Sequence, residues 1–225
     1  MLQQTTLKEL NIPLDGVLPT QDNLPSEDGI PIETERHKLQ MELLIDSLRP
    51  WLDQRSDGYI GGNMFVYFNI NQLYNQDFRG TDVFVVLDVP KGERKSWVVC
   101  EEGKGPDLVI ELLSETTAQA DKKEKKRIYE KQLKVEEYFW YDPFNAEDWA
   151  GFERRAGNYQ RLTLDPKGRL VSQQLNLALV RWNGIYKNIE TTWLRWETLS
   201  GKLLPTSEEI AKAEQQRADR FNPLL

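Results

Sequence analysis

A chain of 225 residues with 39% apolar content is long enough to bury one substantial core, and its length fits a single domain with appendages better than two domains. A net charge of −7, a lone Cys100 and a lone His37 exclude a bulk nucleic-acid coater, a disulfide framework and a Cys/His zinc cluster. No apolar run approaches membrane-spanning length and the N-terminus lacks a basic start followed by an apolar block, so the sequence predicts a soluble, cytoplasmic protein without a signal peptide.

Residues 1–30 contain Pro13, Gly16, Pro19 and Pro25 among scattered acids and predict an extended arm. A helix follows, with Thr34 as N-cap, an apolar face of Leu39, Met41, Leu43, Leu44, Ile45 and Leu48, and Pro50 expected to stop it. Glu33 stands at its start, where a carboxylate ordinarily complements the helix dipole. After the Asp57-Gly58 turn and the Gly61-Gly62 pair, residues 64–68 (MFVYF) have strand composition. A polar connection over 71–80 leads to Thr81-Asp82, which opens the apolar strand VFVVL. Residues 91–94 predict a turn and 96–100 a short strand.

Residues 105–143 read as buried strand, basic helix, buried strand. Pro106 suits the start of a strand, and Leu108, Val109, Ile110, Leu112 and Leu113 form an apolar run interrupted by Glu111. An ionised carboxylate in a core strand costs several kcal/mol unless something compensates it. The next helix, predicted from an Asp121 N-cap to about Lys134, offers a partner. Ile128, Tyr129 and Leu133 form its apolar stripe and Lys125 falls on that stripe, while Lys123, Arg127, Lys131 and Lys134 point away. Lys122 is the other lysine near the inner face. Residues 122–134 carry seven basic residues against two acidic ones, which makes a basic ridge or simply a solvated helix face.

Downstream, residues 137–141 predict an aromatic strand ending at Asp142-Pro143. Residues 149–153 and 159–164 predict a hairpin around Ala156-Gly157-Asn158, and 165–168 a turn. Trp182, Trp193 and Trp196 suit packing of a small β layer or a subunit contact better than base stacking. Thr206 and Glu209 predict a capping box for a final polar helix.

A leading acid on one strand, an internal acid on the next and an inward lysine on the following helix suggest a site for a hard cation. Carboxylates with little else are the ligand set of Mg²⁺, and a lysine beside them can orient or deprotonate an attacking water. The competing reading is a buried Glu111–Lys125 salt bridge, with Asp82 merely capping its strand. Asp107 shares a face with Glu111, but four strand residues span about 13 Å, too far for both to hold one ion, so it reads as a turn residue.

Residues 106–114 (PDLVIELLS), Thr117, Asp121, Glu124-Lys125, Tyr129 and 137–143 (EYFWYDP) closely resemble the Uma-two-like family of bacterial restriction endonucleases, within the PD-(D/E)XK nuclease superfamily. The resemblance extends upstream through Asp28-Gly29, Glu33, Arg36-His37, 61–67 (GGNMFVY) and 79–82 (RGTD), and so covers about residues 25–200. It implies an α/β fold: a restriction-endonuclease-like mixed β-sheet core flanked by helices, with a C-terminal β layer and a short terminal helix. The expected organisation is an arm over 1–30, a nuclease-like domain over 31–200 and a helical tail over 201–225.

The resemblance further implies a divalent-metal-dependent endonuclease hydrolysing DNA phosphodiesters with Mg²⁺ or Mn²⁺. Asp82 and Glu111 take the metal-ligand positions and Lys125 the water-assisting position, with Glu33 matching an acid supplied from the first helix. Two positions depart from the superfamily pattern. Leu113 stands where a lysine is usual, so the lysine must come from the helix, and Thr81 replaces the proline before Asp82. The alternative is a catalytically degenerate member that binds nucleic acid or a protein partner through the same fold. A homodimer built on the tryptophan-rich layer is compatible with either.

Overall fold

In a computed structural model, residues 20–22, 24–26, 34–68 and 79–221 are described. Most of the expected N-terminal arm, Glu33 and most of the 71–80 connection lie outside them. The described elements are α1 (Glu35–Asp53), β1 (Tyr59–Tyr67), β2 (Arg79–Val86), β3 (Trp97–Val98), α2 (Val99–Glu102), β4 (Leu108–Leu112), the helix α3 (118–133), β5 (Glu137–Tyr141), β6 (Trp149–Arg155), β7 (Asn158–Arg161), β8 (Leu170–Ser172), β9 (Leu177–Tyr186), β10 (Ile189–Thr198) and α4 (Ser207–Phe221).

Seven strands form one mixed sheet in the order β3-β1-β2-β4-β5-β6-β7, and β10-β9-β8 form a second, antiparallel sheet. β1 runs parallel to β3 and β4 parallel to β5, the latter pair joined through α3, while the remaining pairs are antiparallel. This is the mixed core flanked by helices that the resemblance implies, and the second sheet is the expected C-terminal β layer.

Side-chain alternation divides the large sheet's two faces. Val83, Val85, Ile110, Leu112, Phe139 and Tyr141 pack with Leu44, Leu48 and Leu52 of α1 and with Leu177, Leu179, Leu194 and Trp196 of the second sheet. Phe84, Val86, Val109, Tyr138 and Phe152 pack on the opposite face with Tyr129 and Leu133 of α3. Trp193 and Trp196 are fully buried, and Trp182 is partly buried against Trp193. The Gln40 amide donates to Leu194 O and accepts from Leu194 N, both at 2.9 Å, standing in for a strand partner at the β10 edge.

Several local expectations are met. Thr34 caps α1 by accepting from His37 N at 3.2 Å, and Thr206 and Glu209 form a reciprocal capping box on α4. The β6–β7 turn uses positive φ at Ala156 and Gly157, as a tight hairpin requires. Others are corrected. Pro50 does not stop α1 but lies inside its last turn; the proline removes one helix hydrogen bond there, and burial of Leu52 against the sheet offsets the loss. The strand expected over 96–100 is cut to Trp97–Val98, because the chain beyond Val98 emerges to the surface and coils into α2, which ends at Gly103 with φ +73°.

Candidate active site

β2 and β4 pair antiparallel with Val83 opposite Ile110, so continuing the register by one residue sets Asp82 opposite Glu111. Alternation puts both on the face carrying Phe84 and Val109, the face that α3 covers. β4 is buried along its whole length, and Glu111 is 0% exposed within it.

α3 presents Asp121, Lys125 and Tyr129 to this face. Spaced at i, i+4 and i+8, they would drift around an ideal α-helix, but two π-helical turns, Asp121–Lys125 and Tyr129–Leu133, interrupt it. Such wide turns occur in single pieces and often at functional sites. Lys125 Nζ lies 3.0 Å from Glu111 Oε2, 2.9 Å from Asp121 Oδ1 and 3.4 Å from Gly80 O. Tyr129 donates to Glu111 Oε1 at 2.5 Å, which leaves its own oxygen to accept from Thr81 Oγ1 at 3.2 Å. Asp82 accepts from Leu112 N at 2.7 Å through Oδ2, and its Oδ1 lies 3.4 Å from His37 Nε2.

Three carboxylates therefore surround one lysine, and their electrostatics diverge. Burial pushes the Glu111 pKa well above the ordinary glutamate value; Asp82 and Asp121 push the same way, against Lys125 and the Tyr129 hydrogen bond. Burial acts on Asp82 too, but His37, Lys125 and the Leu112 N–H outweigh it and hold that carboxyl below its usual value. Burial alone would lower the Lys125 pKa, yet Glu111, Asp121 and Asp82 hold it above the usual lysine value. Lys125 is thus a fixed cation at neutral pH.

Residues 27–183 match the profile of the family described as "Uma2: Putative restriction endonuclease". The chain belongs to this family. Among solved structures, one described as a "putative nuclease belonging to DUF820 from Anabaena variabilis ATCC 29413" is similar, with 14% identity and a TM-score of 0.48 over 70% of this chain and 90% of that one. No curated protein matches.

Within this Uma2 family chain, the structure brings together three of the four residues singled out from sequence: Asp82, Glu111 and Lys125. Glu33 lies outside the described residues. Lys122 turns away to pair with Asp148 at 2.5 Å. Asp107 is a turn residue, as its spacing indicated: it accepts from Leu87 N at 2.7 Å and pairs with Lys104. His37 is a neighbour of Asp82 and is buried.

Asp121 is a correction. It does not cap α3 but sits inside it, 1% exposed, and its Oδ2 has no hydrogen-bond partner among the described residues. The sequence held the signal, because Asp121 stands one turn before Lys125, which falls on the stripe through Tyr129. Tyr129, on the apolar stripe, adds a hydroxyl contact to Glu111 to its packing role.

Among the described residues no group of three or more His, Cys, Asp and Glu is arranged to hold a metal ion. The donor chemistry nevertheless suits a hard cation. Asp82 and Glu111 offer carboxylate oxygens from adjacent strands, each with lone pairs beyond its present hydrogen bond, and the buried Asp121 Oδ2 accepts no hydrogen bond among the described residues. No described helix is long and apolar enough to cross a membrane.

Proposed function

We propose that this chain is a divalent-metal-dependent endonuclease that hydrolyses DNA phosphodiesters at Asp82, Glu111 and Lys125. The observation that carries this reading is the register that sets Asp82 opposite Glu111 on one face of the sheet, with Lys125 Nζ 3.0 Å from Glu111. Family membership supports the same reaction class. Asp82 and Glu111 would hold Mg²⁺ or Mn²⁺, with Glu33 as a further ligand by resemblance. A bound ion supplies Lewis-acid polarisation of the phosphate and acidifies a bound water.

The chain's own groups divide the remaining work. Lys125, held protonated by three carboxylates, donates rather than accepts a proton, so it orients the attacking water and stabilises charge gathering on the phosphoryl oxygens. Asp121 keeps that ammonium in place from the far side, and Tyr129 fixes the Glu111 carboxylate by donating to Oε1. His37 steadies Asp82.

A second reading has its own supporting observation. All four carboxylate oxygens of Asp82 and Glu111 face a protein group: the Leu112 N–H, His37, Lys125 and Tyr129. A closed lattice of this kind suits a degenerate site that binds nucleic acid or a protein partner without cutting. Titration of Mn²⁺ into wild type and Asp82→Asn, followed by plasmid cleavage with Mg²⁺, separates the two. Metal binding and cleavage that both vanish in the variant support the nuclease; a wild type that binds no metal supports the second reading.

A further inference from the structure

Beyond the carboxylate cluster lies a cavity of about 740 Å³, bounded by the start of α1 and by the turns that follow β4 and β5. Its walls include Thr34, His37, Glu115, Asp142, Phe144 and Asn145. The volume is that of a small-molecule site, and the position, outside the carboxyl ends of two parallel neighbouring strands, is where α/β sheets place ligands. His37 belongs to both places: it lines the cavity and lies 3.4 Å from Asp82 Oδ1.

Among the described residues Phe144 is the one aromatic among the exposed large hydrophobics, with 58% of its surface in solvent. The turn holds it there. Asp142 Oδ1 accepts from Phe144 N at 2.7 Å and Asn145 N at 3.1 Å, and Asp148 N donates to Asn145 O at 2.8 Å. The Arg36 guanidinium covers the ring at 4.7 Å from its centroid. A rigid turn that keeps an aromatic ring beside a guanidinium at a cavity mouth provides the two kinds of plane on which unpaired bases stack. The walls are acidic, through Glu115 and Asp142, which disfavours a phosphate and suits an uncharged ring bearing amino groups.

We infer that this cavity takes one unpaired nucleobase of the nucleic acid whose backbone reaches the Asp82–Glu111 site, stacked on Phe144 and Arg36. The inference rests on the nuclease reading and adds to it a substrate class: DNA with a single-stranded or extruded base beside the cut. A base in an intact duplex cannot enter a pocket without leaving its stack, so unpaired DNA should be favoured.

The test uses the full chain with Ca²⁺ in place of Mg²⁺ and an oligonucleotide carrying 2-aminopurine, either single-stranded or fully paired. Wild type should prefer the single strand and change the 2-aminopurine emission. Phe144→Ala should lower the ratio of single-strand to duplex affinity by about 10-fold, the scale of one lost base–aromatic stack, and abolish the emission change. Phe144→Trp should restore both. Melting curves matching wild type would show that the variants fold. If wild type cuts DNA with Mg²⁺ but Phe144→Ala keeps the wild-type affinity ratio and emission change, this inference is overturned and the nuclease reading stands. If wild type binds neither DNA and cuts neither, the nuclease reading fails and takes this one with it.

Discussion

Glu111 and Glu137 sit on adjacent parallel strands, both within 1% of complete burial, and point to opposite faces of the same sheet. Glu137 faces the second sheet. It accepts from the Ser172 hydroxyl, from Gln173 N at 2.6 Å and from Gln174 N at 3.2 Å, so neutral donors satisfy it and tie the turn after β8 to β5. Glu111 faces α3, where its partners are one lysine shared with Asp121 and one tyrosine hydroxyl, with Asp82 opposite. Burial raises the pKa of both; at Glu137 three hydrogen-bond donors oppose the shift and Glu153 adds to it, while at Glu111 Asp82 and Asp121 both add to it against Lys125 and the Tyr129 hydrogen bond. A buried carboxylate saturated by backbone and hydroxyl donors is a structural pin. One crowded with like charge around a single cation is held at a cost in stability, as the proposed site requires.

The sharpest break in the comparison is activity. Asp82→Asn or Glu111→Gln should reduce Mg²⁺-dependent plasmid cleavage to below about 10⁻³ of wild type, while Lys125→Met should lower it by about 10²-fold and leave Mn²⁺ binding measurable by calorimetry. Stability separates the glutamates in the other direction. Glu137→Ala strands the Ser172 hydroxyl and two N–H groups and should cost about 2–4 kcal/mol in urea unfolding, with cleavage retained below the melting temperature.

The pH dependence of metal-free Glu111→Gln offers a finer test. Wild-type Glu111 has a folded pKa above its unfolded value of about 4.3, so the unfolded chain ionises first and the folded state is penalised as pH rises through the interval between the two. The variant lacks that penalty and should gain stability relative to wild type as pH rises from about 4 towards neutrality. An advantage that shrinks over that interval would mean Glu111 is stabilised as an ion, like a structural salt bridge.

The smallest effect concerns the basic ridge. Lys126 lies over the Phe152 ring, Lys131 bonds Gly157 O and Asn158, and Lys122 pairs with Asp148; Lys123 and Arg127 are the exposed cations before Lys131, with Glu124 exposed beside them. Changing Lys123 and Arg127 to Gln should reduce the salt slope of DNA binding by about 2, close to one per lost phosphate contact. An unchanged slope would make the ridge a solvated face.

Much of the site was legible because strand and helix periods are rigid rulers. The resemblance picked out Asp82 and Glu111, and the helical stripe through Ile128, Tyr129 and Leu133 turned Lys125 inward; that the two carboxylates share a face follows from the β2–β4 register, which the period of a single strand does not set. Asp121 was misjudged because an aspartate before a basic helix has the local chemistry of an N-cap, and the π-helical turns that carry it into the interior leave no pattern in single-residue propensity. The pairing of Glu137 with residues 172–174 was invisible for another reason. It depends on how the second sheet packs against the first, and no local spacing encodes a contact 35 residues away. Pro50 failed as a stop signal for a related reason, since tertiary burial of Leu52 outweighs one lost helix bond.

The most direct measurement is plasmid cleavage with Mg²⁺ by wild type, Glu111→Gln and Glu137→Gln, each shown by its melting curve to be folded at the assay temperature. Wild type and Glu137→Gln should cut, and Glu111→Gln should not. A folded Glu111→Gln protein that cuts at the wild-type rate would contradict the assignment of the Asp82–Glu111–Lys125 cluster as the site of hydrolysis.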